Sequence, residues 1–446
     1  MPGKIQDWSF WYALDKIYVR FSHRRFYKEI SVKGLENIPV DMPVIFAPNH
    51  QNALMDALAI LCVTPFQPVF MARADIFNNK LIARILSFLK IMPVYRIRDG
   101  YSNLEKNDEI IEKALDVLRN KKPLCLMPEG NHGEQRKLRP LVKGIFRIAF
   151  KAQENYGLNT GVKIIPVGLD YTNYEKFKSF LIVNFGKPIE IADYYELYQS
   201  NQAVAYNALR ERLIDEMKKY MVHIESDKYY DSIYNLSQIY YLKVLTQWNI
   251  HKEDGWSRFK AVKYITDLFN NCHDISILES LDLKIKEYLK NIEKLDLRNW
   301  VFEHENYNIG ILIIQGLIML LLIPIFLFGF INNYLPFMIP QWMIRKVKDR
   351  QFHSSFKFVI ASFLFPIFYI ILFSLACIFI KSIWVCLLYL LLLPLTASFA
   401  YKYYVWVKKY LAKFRYNLLI YRKDKTIQKT LQLRNDIFEI TMPILK

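Results

Sequence analysis

The sequence predicts an α/β domain with a mixed sheet over residues 30–200, a helical region over 201–304, and a C-terminal α-helical membrane bundle over 305–404. Three observations predict it. In the first part, short apolar runs bounded by turn residues break into polar loops or pass into helix-length segments, the pattern of a sheet with helical crossovers. Residues 203–300 contain no proline and place Leu209, Leu213, Met217 and Met221 at four-residue intervals with charges between them, the period of a helix. Uncharged apolar runs at 309–331, 358–380 and 382–400 are each long enough to cross a bilayer core.

The elements follow in order. Residues 1–29 form an interfacial segment: Trp8, Phe10, Trp11, Tyr12, Leu14, Ile17, Tyr18, Phe21 and Phe26 are interleaved with Arg20, Arg24, Arg25 and Lys28. That mixture suits a helix whose rings sit among lipid head groups, or equally a helix packed on the domain that follows. Met1 to Asp7 carries one lysine, and the aromatic segment is interrupted by Asp15 and Lys16, so no secretory pattern is expected. Val44-Ile45-Phe46-Ala47 reads as a buried strand and residues 53–62 as an apolar helix, so His50 falls in the turn between them, with Asp56 shortly after it. In one unbroken helix residues six apart lie on different faces, so Asp56 meets the imidazole only if His50 precedes the helix. Asn52 is suited to cap that helix.

Met92-Pro93-Val94-Tyr95-Arg96-Ile97-Arg98-Asp99-Gly100 is a short strand running into two arginines, whose planar forks suit phosphate. Pro123-Leu124-Cys125-Leu126-Met127 is an apolar strand that breaks at Pro128 and delivers Glu129 and Gly130 into a polar loop. Gly130 and Gly133 permit close backbone approach to a ligand. Residues 162–169 form a hydrophobic strand in which Pro166 indicates an edge or a bulge. In the helical region, Asp254-Gly255 marks a turn between two helical groups.

The 446 residues include 60 Lys plus Arg against 42 Asp plus Glu, a net charge of +18, which implies an anionic partner. The long apolar runs decide for a membrane and against nucleic acid. Cys62, Cys125, Cys272, Cys377 and Cys386 are odd in number and widely spaced, which implies neither a disulfide framework nor zinc and fits a reducing, cytosolic compartment. Residues 405–446 read as a basic tail.

Together the Asn49-His50…Asp56 block, the Pro93-Val94-x-Arg96 block, the Pro128-Glu129-Gly130 block with Leu138, Lys143 and Gly144 behind it, and Ile165-Pro166-Val167 resemble the glycerolipid acyltransferase family. Phe185-Gly186-Lys187-Pro188-Ile189 resembles the strand and turn that close its domain. Most members space the pair as His-x4-Asp; the extra residue here is similar to a subset of fungal glycerol-3-phosphate and dihydroxyacetone-phosphate acyltransferases. The resemblance implies transfer of a fatty acyl group from a thioester, acyl-CoA or acyl carrier protein, to a hydroxyl of glycerol 3-phosphate or 1-acylglycerol 3-phosphate. It implies no cofactor beyond that co-substrate, and the sequence has no metal or nucleotide fingerprint.

An imidazole can take the hydroxyl's proton in the transition state, so His50 is the expected base and Asp56 the group that fixes its tautomer. Amides around Gly130 are expected to serve the oxyanion. By resemblance Arg96, with Arg98 second, holds the acceptor's phosphate, Arg136 or Lys137 assists, and Glu129 positions the glycerol; His132 stands where a hydroxyl residue is common and is expected to face solvent. Two other readings stay open: acylation of another lyso-lipid, such as a lyso-aminolipid, and a catalytically silent lipid-binding scaffold in which the extra residue separates His50 from Asp56.

Arg345, Lys346, Lys348 and Arg350 follow the first apolar run, and Lys402, Lys408, Lys409, Lys413 and Arg415 follow the last. Three full crossings would put both clusters opposite a domain that uses cytosolic thioesters, against the positive-inside rule. Residues 309–343, containing Asn332-Asn333 and Pro324, Pro336 and Pro340, are therefore expected to be re-entrant, while 358–380 and 382–400 cross as a hairpin. The expected product is an integral membrane protein with His50 and both basic clusters on the cytosolic face.

Overall fold

The computed structural model describes residues 4–94, 104–156, 161–251 and 253–444, so Arg96 and Arg98 lie outside the described residues. The chain divides into two compact units. The first comprises Met1–His223, Ile250–Lys263 and Lys348–Phe358; the second comprises Ile224–Asn249, Tyr264–Val347 and Val359–Lys446.

The first unit is built on an eight-stranded mixed sheet. Its strands are β1 (Glu29–Lys33), β2 (Val44–Pro48), β3 (Val69–Arg73), β4 (Ile91–Val94), β5 (Leu124–Cys125), β6 (Lys163–Tyr171), β7 (Phe180–Phe185) and β8 (Ile189–Glu190). Its helices are α1 (Phe10–Phe26), α2 (Leu54–Val63), α3 (Lys80–Phe88), α4 (Leu104–Arg119), α5 (Gly144–Tyr156), α6 (Tyr195–Ser200) and α7 (Gln202–Tyr220). The strand order is β1-β7-β6-β2-β5-β3-β4, with β8 paired to β6. β2, β3, β4 and β5 are mutually parallel where they pair, β6 is parallel to β2, and β7 and β8 run antiparallel to β6.

Every residue of β2 is buried because helices cover both faces of the sheet. Alternation sends Ile45 and Ala47 into a core with Ile111, Leu115, Phe146, Phe150, Leu209 and Leu213, and Val44 and Phe46 into a second core with Tyr12, Met55 and Ile60. α4, α5 and α7 thus lie on one face, and α1 and α2 on the other. α1 is capped by Ser9, which accepts the Tyr12 amide. It buries Tyr12, His23 and Phe26 and leaves Trp8, Trp11, Ile17 and Phe21 exposed, so it is packed on the domain along one side and apolar on the other.

Two expectations change here. β6 is an interior strand, although Pro166 pointed to an edge. The missing amide is tolerated because Pro166 falls between the residues paired with β8, Lys163 and Ile164, and those paired with β7 from Val167 onward. The domain also runs past residue 200. α7 packs on β6, where a Cβ at Gly168 would stand 1.8 Å from the Tyr220 carbonyl oxygen, so the helix end lies directly against the strand and only glycine fits. The 201–304 region is therefore not one spacer, since its first helix belongs to the sheet domain.

The second unit is helical: α8 (Tyr230–Gln247), the end of α9 (Gly255–Asn270), α10 (Ile275–Lys294), α11 (Ile309–Ile344), most of α12 (His353–Phe379), α13 (Ile383–Tyr421) and α14 (Lys425–Thr441). Gly255 does open a helix after a turn, as expected. Residues 405–446 are not a tail. α13 continues to Tyr421, and α14 lies on α10 through Lys284–Asp436 at 2.6 Å and the Lys429–Glu287 pair.

Among the described residues, three helices are long and apolar enough to cross a membrane: Ile309–Ile344, Arg350–Phe379 and Ile383–Tyr421. The expected break inside 309–343 is absent. α11 is one helix of 36 residues, about 54 Å at 1.5 Å per residue, and it encloses all three prolines. The asparagines read as a break are satisfied across helices instead. Asn333 receives the Tyr369 hydroxyl at 2.8 Å and donates to the Gly329 and Leu393 carbonyls, while Asn332 receives the Tyr389 hydroxyl at 2.6 Å. Such bonds in an apolar setting fasten helices together.

Candidate active site

β2, β3, β4 and β5 are parallel, so their carboxyl ends open along one edge of the sheet, where α/β folds bind ligands. β2 ends at Pro48 and releases Asn49 and His50 at that edge. Asn49 is tied to β6: its amide group donates to the Leu169 carbonyl at 3.0 Å and its side-chain oxygen accepts the Leu169 amide at 2.6 Å. His50 is thereby anchored one residue from a fixed point.

His50 Nδ1 lies 2.9 Å from Asp56 Oδ2. The same Oδ2 accepts the amides of Gln51 at 2.8 Å and Asn52 at 2.7 Å, and Oδ1 accepts the Tyr171 hydroxyl at 2.8 Å. A carboxylate that accepts from every other neighbour accepts from the ring too, so Nδ1 carries the proton and Nε2 presents its lone pair. The His50 side chain is 18% exposed while Asp56 is fully buried, which leaves Nε2 reachable and the orienting carboxylate shielded from water.

Between the two lies Ala53, with φ 44° and ψ −123°. The Met55 amide bonds the Asn52 carbonyl at 2.9 Å across it, so residues 52–55 form a type II′ turn with alanine where glycine is preferred. Asn52 is not the side-chain cap expected; its oxygen accepts from Ser354 instead. A positive φ at a non-glycine residue costs on the order of 1–3 kcal/mol, partly offset for glycine by chain entropy. Ala53→Gly should accordingly raise the denaturation midpoint by the equivalent of about 1 kcal/mol with activity retained; a lower midpoint would contradict this turn geometry.

Glu129 and Gly130 leave β5 at the same edge. Glu129 is buried, and its two oxygens accept the amides of His50 at 2.8 Å and Arg139 at 3.2 Å. It clamps the histidine loop to its own loop. Burial pushes its carboxyl up to about 7, with the two amides opposing. A group whose pKa is raised by folding stabilises fully below its unfolded pKa and loses that contribution as pH rises through the folded value. Relative to Glu129→Gln, which does not titrate there, the wild type should gain on the order of 3 kcal/mol as pH falls from 8 to below 4.5, most of it by 5.5. Denaturation at pH 8 and 5.5 checks this; parallel behaviour of the two proteins would contradict it. Gly130, at φ +65°, donates its own amide to the Met127 carbonyl at 3.1 Å, and Gly133 donates to the His50 carbonyl at 3.1 Å. Neither amide is available for an oxyanion.

His132 is half-buried and lines an open groove. Its ring stands 5.5 Å from His50 and 4.9 Å from Phe352, edge-on to each. Phe352 belongs to residues 345–352, which join α11 to α12, and Lys348–Phe358 is part of the first unit. Ser354 donates to Asn52, Lys357 donates to the Glu175 carbonyl at 3.0 Å, and Phe358 is buried against Phe26. An open groove of about 630 Å³ lies between this linker and the strand-exit loops, lined by Arg73, Asn131, His132, Glu134, Lys348, Asp349 and Gln351.

The Acyltransferase family model matches residues 29–170, which run from the first residue of β1 through Asp56 and the Glu129 clamp to the penultimate residue of β6. Residues 29–170 form an acyltransferase-family domain. The chain is 28% identical over 110 residues to glycerol-3-phosphate O-acyltransferase 1 of Saccharomyces cerevisiae, covering 25% of this chain and 14% of the yeast protein. It is 28% identical over 145 residues to a 1-acyl-sn-glycerol-3-phosphate acyltransferase of Chlamydomonas reinhardtii, covering 32% and 39%. The like-named protein of Borreliella burgdorferi is 25% identical over 195 residues, covering 43% and 72%. The chain therefore spans well under half the length of the yeast and algal relatives. The solved 1-acyl-sn-glycerophosphate acyltransferase of Thermotoga maritima aligns at 21% identity and TM-score 0.33 over 46% of this chain and 79% of its own.

Within the acyltransferase domain, His50, Asp56, Glu129 and Gly130 converge. Arg136 does not join them as a phosphate ligand. Its side chain is 3% exposed, its Nε donates to Asp170 Oδ1 at 2.9 Å, and Nη2 donates to the Tyr171 carbonyl. Lys137 is half-buried beside it. Tyr171, Arg73 and Ser354 are site residues that motif reading missed, and Asn49 stood in the His50 block without a role of its own. Asn49 adjoins His50 and Arg73 ends a strand, which are usable signals; Tyr171 and Ser354 carry none.

Proposed function

We propose that the protein is a membrane-bound O-acyltransferase that moves a fatty acyl group from an acyl thioester to a hydroxyl of glycerol 3-phosphate or 1-acylglycerol 3-phosphate. The 2.9 Å contact between His50 and Asp56 carries this reading, because it supplies a base with its reactive nitrogen open at the sheet edge. The same contact removes the premise of the silent-scaffold reading, which required the pair to be apart.

His50 Nε2 takes the proton of the acceptor hydroxyl as its oxygen attacks the thioester carbonyl. Asp56 holds the imidazolium so formed, itself braced by two amides and Tyr171. Collapse of the tetrahedral intermediate breaks the C–S bond, and the proton on His50 passes to the departing thiolate. Because the acceptor hydroxyl is the nucleophile, no acyl-enzyme forms.

The donor is a CoA or carrier-protein thioester, and a site facing the cytosol would meet it there. Lys348–Phe358 packs within the acyltransferase unit, which supports reading Lys348 and Arg350 on the same side of a membrane as His50. Transfer of labelled acyl groups to a panel of glycerol 3-phosphate, 1-acylglycerol 3-phosphate, their dephosphorylated forms and a lyso-aminolipid tests the assignment. Product only from the phosphorylated acceptors is expected. Equal acylation of the dephosphorylated forms would overturn it.

A further inference from the structure

The linker between α11 and α12 is held on the acyltransferase unit at four points: Phe352 against His132, Ser354 on Asn52, Lys357 on the Glu175 carbonyl, and Phe358 in the core beside Phe26. Two of these reach the catalytic loops themselves, since Asn52 lies two residues from His50 and His132 faces its ring. Docking of this kind fixes where the preceding residues stand. Lys348, Asp349 and Gln351 form one wall of the 630 Å³ groove whose other wall is Arg73, Asn131, His132 and Glu134.

The charges in that groove are unequally placed. Arg73 is engaged by Asp75 through Nε and Nη2. Asp349 accepts the Gln351 amide and begins the short 3-10 turn of the linker. Lys348 is exposed, and among the described residues no ion pair to it is recorded. Arg73 is also the register partner of Val94 on the neighbouring strand β4.

We propose that this groove binds the phosphate of a reactant and that Lys348, supplied by the loop between two membrane helices, is its specificity-determining cation. This rests on the acyl-transfer reading. The acceptor's phosphate is the nearer candidate, because its hydroxyl must meet His50 across His132; the phosphates of a CoA donor share the same chemistry. The membrane bundle then contributes directly to substrate choice through its first inter-helix loop, in addition to anchoring the chain.

The test uses the full-length protein with steady-state kinetics on both substrates. Lys348→Ala should raise the KM of the phosphorylated acceptor roughly tenfold, the scale of one charge-assisted contact, with donor KM unchanged. Lys348→Arg should restore most of it. Asp349→Asn removes a negative charge from the same wall while keeping a capping side chain, and should lower that KM two- to fivefold. Arg350→Ala removes an equal charge two residues away and outside the groove, and should leave both KM values as they are. A rise confined to the donor's KM assigns the phosphate to the donor. Unchanged KM values in Lys348→Ala, or an equal effect of Arg350→Ala, overturn the proposal. Calorimetric binding of glycerol 3-phosphate separates the two levels: binding that weakens in Lys348→Ala without any turnover in the wild type keeps the groove and removes the acyl-transfer reading.

Discussion

His50→Ala should lower kcat/KM by two to four orders of magnitude, the usual scale for losing a general base, while KM for the donor changes little. The ring makes one polar side-chain bond, to Asp56, and is partly exposed, so its removal leaves the fold intact. Asp56→Asn is the sharper companion. Three N–H donors converge on Oδ2, and the Tyr171 hydroxyl can turn to accept, so asparagine fits with its oxygen toward the histidine. What it loses is the charge opposite the imidazolium, and turnover should fall at least a hundredfold in a folded protein. Near-normal rates in either variant would remove the acid–base mechanism.

Arg136→Ala should destabilise the protein by about 3–5 kcal/mol, because it strands the buried Asp170 carboxylate without its guanidinium. Burial already pushes the Asp170 carboxyl up, with Arg136 acting against that rise. Acceptor KM should be unchanged in whatever fraction folds, and Asp170→Asn in the same chain should recover part of the loss. A stable Arg136→Ala protein with a raised acceptor KM would instead return Arg136 to the phosphate site.

The contrast between His50 and Arg136 shows what a sequence can carry. His50 and Asp56 are six residues apart on a strand-turn-helix connection, so both their proximity and the need for non-helical backbone between them were legible. The strained backbone of that connection is local too, at Ala53. Arg136 was expected to assist at the acceptor's phosphate, and its partner Asp170 is 34 residues away on a strand that reads as core. Glu129 was expected to position the glycerol, whereas its partners in the structure are backbone amides of two loops, and amides leave no signature in side-chain chemistry.

The same limit applies to the membrane helices. Asn332 and Asn333 look like a break when only their own segment is considered, and become helix-to-helix bonds once Tyr369 and Tyr389 arrive from later segments. Likewise the basic cluster after the first apolar run was read for its side of the membrane, whereas Lys348 and Phe352 stand at the rim of the catalytic site. The mixed sheet, by contrast, was legible because β2, β5 and β6 are continuous apolar runs, as strands covered on both faces must be.

The central claim is that His50 activates the hydroxyl of a phosphorylated glycerol toward a thioester. Labelled acyl-CoA incubated with glycerol 3-phosphate or 1-acylglycerol 3-phosphate, using wild-type and His50→Ala proteins purified side by side, tests it most directly. The prediction is labelled acyl-glycerol phosphate from the wild type, a loss of at least a hundredfold in the variant, and no label retained on the protein. Equal product from both proteins, or a covalent acyl-protein on the path to product, would contradict it.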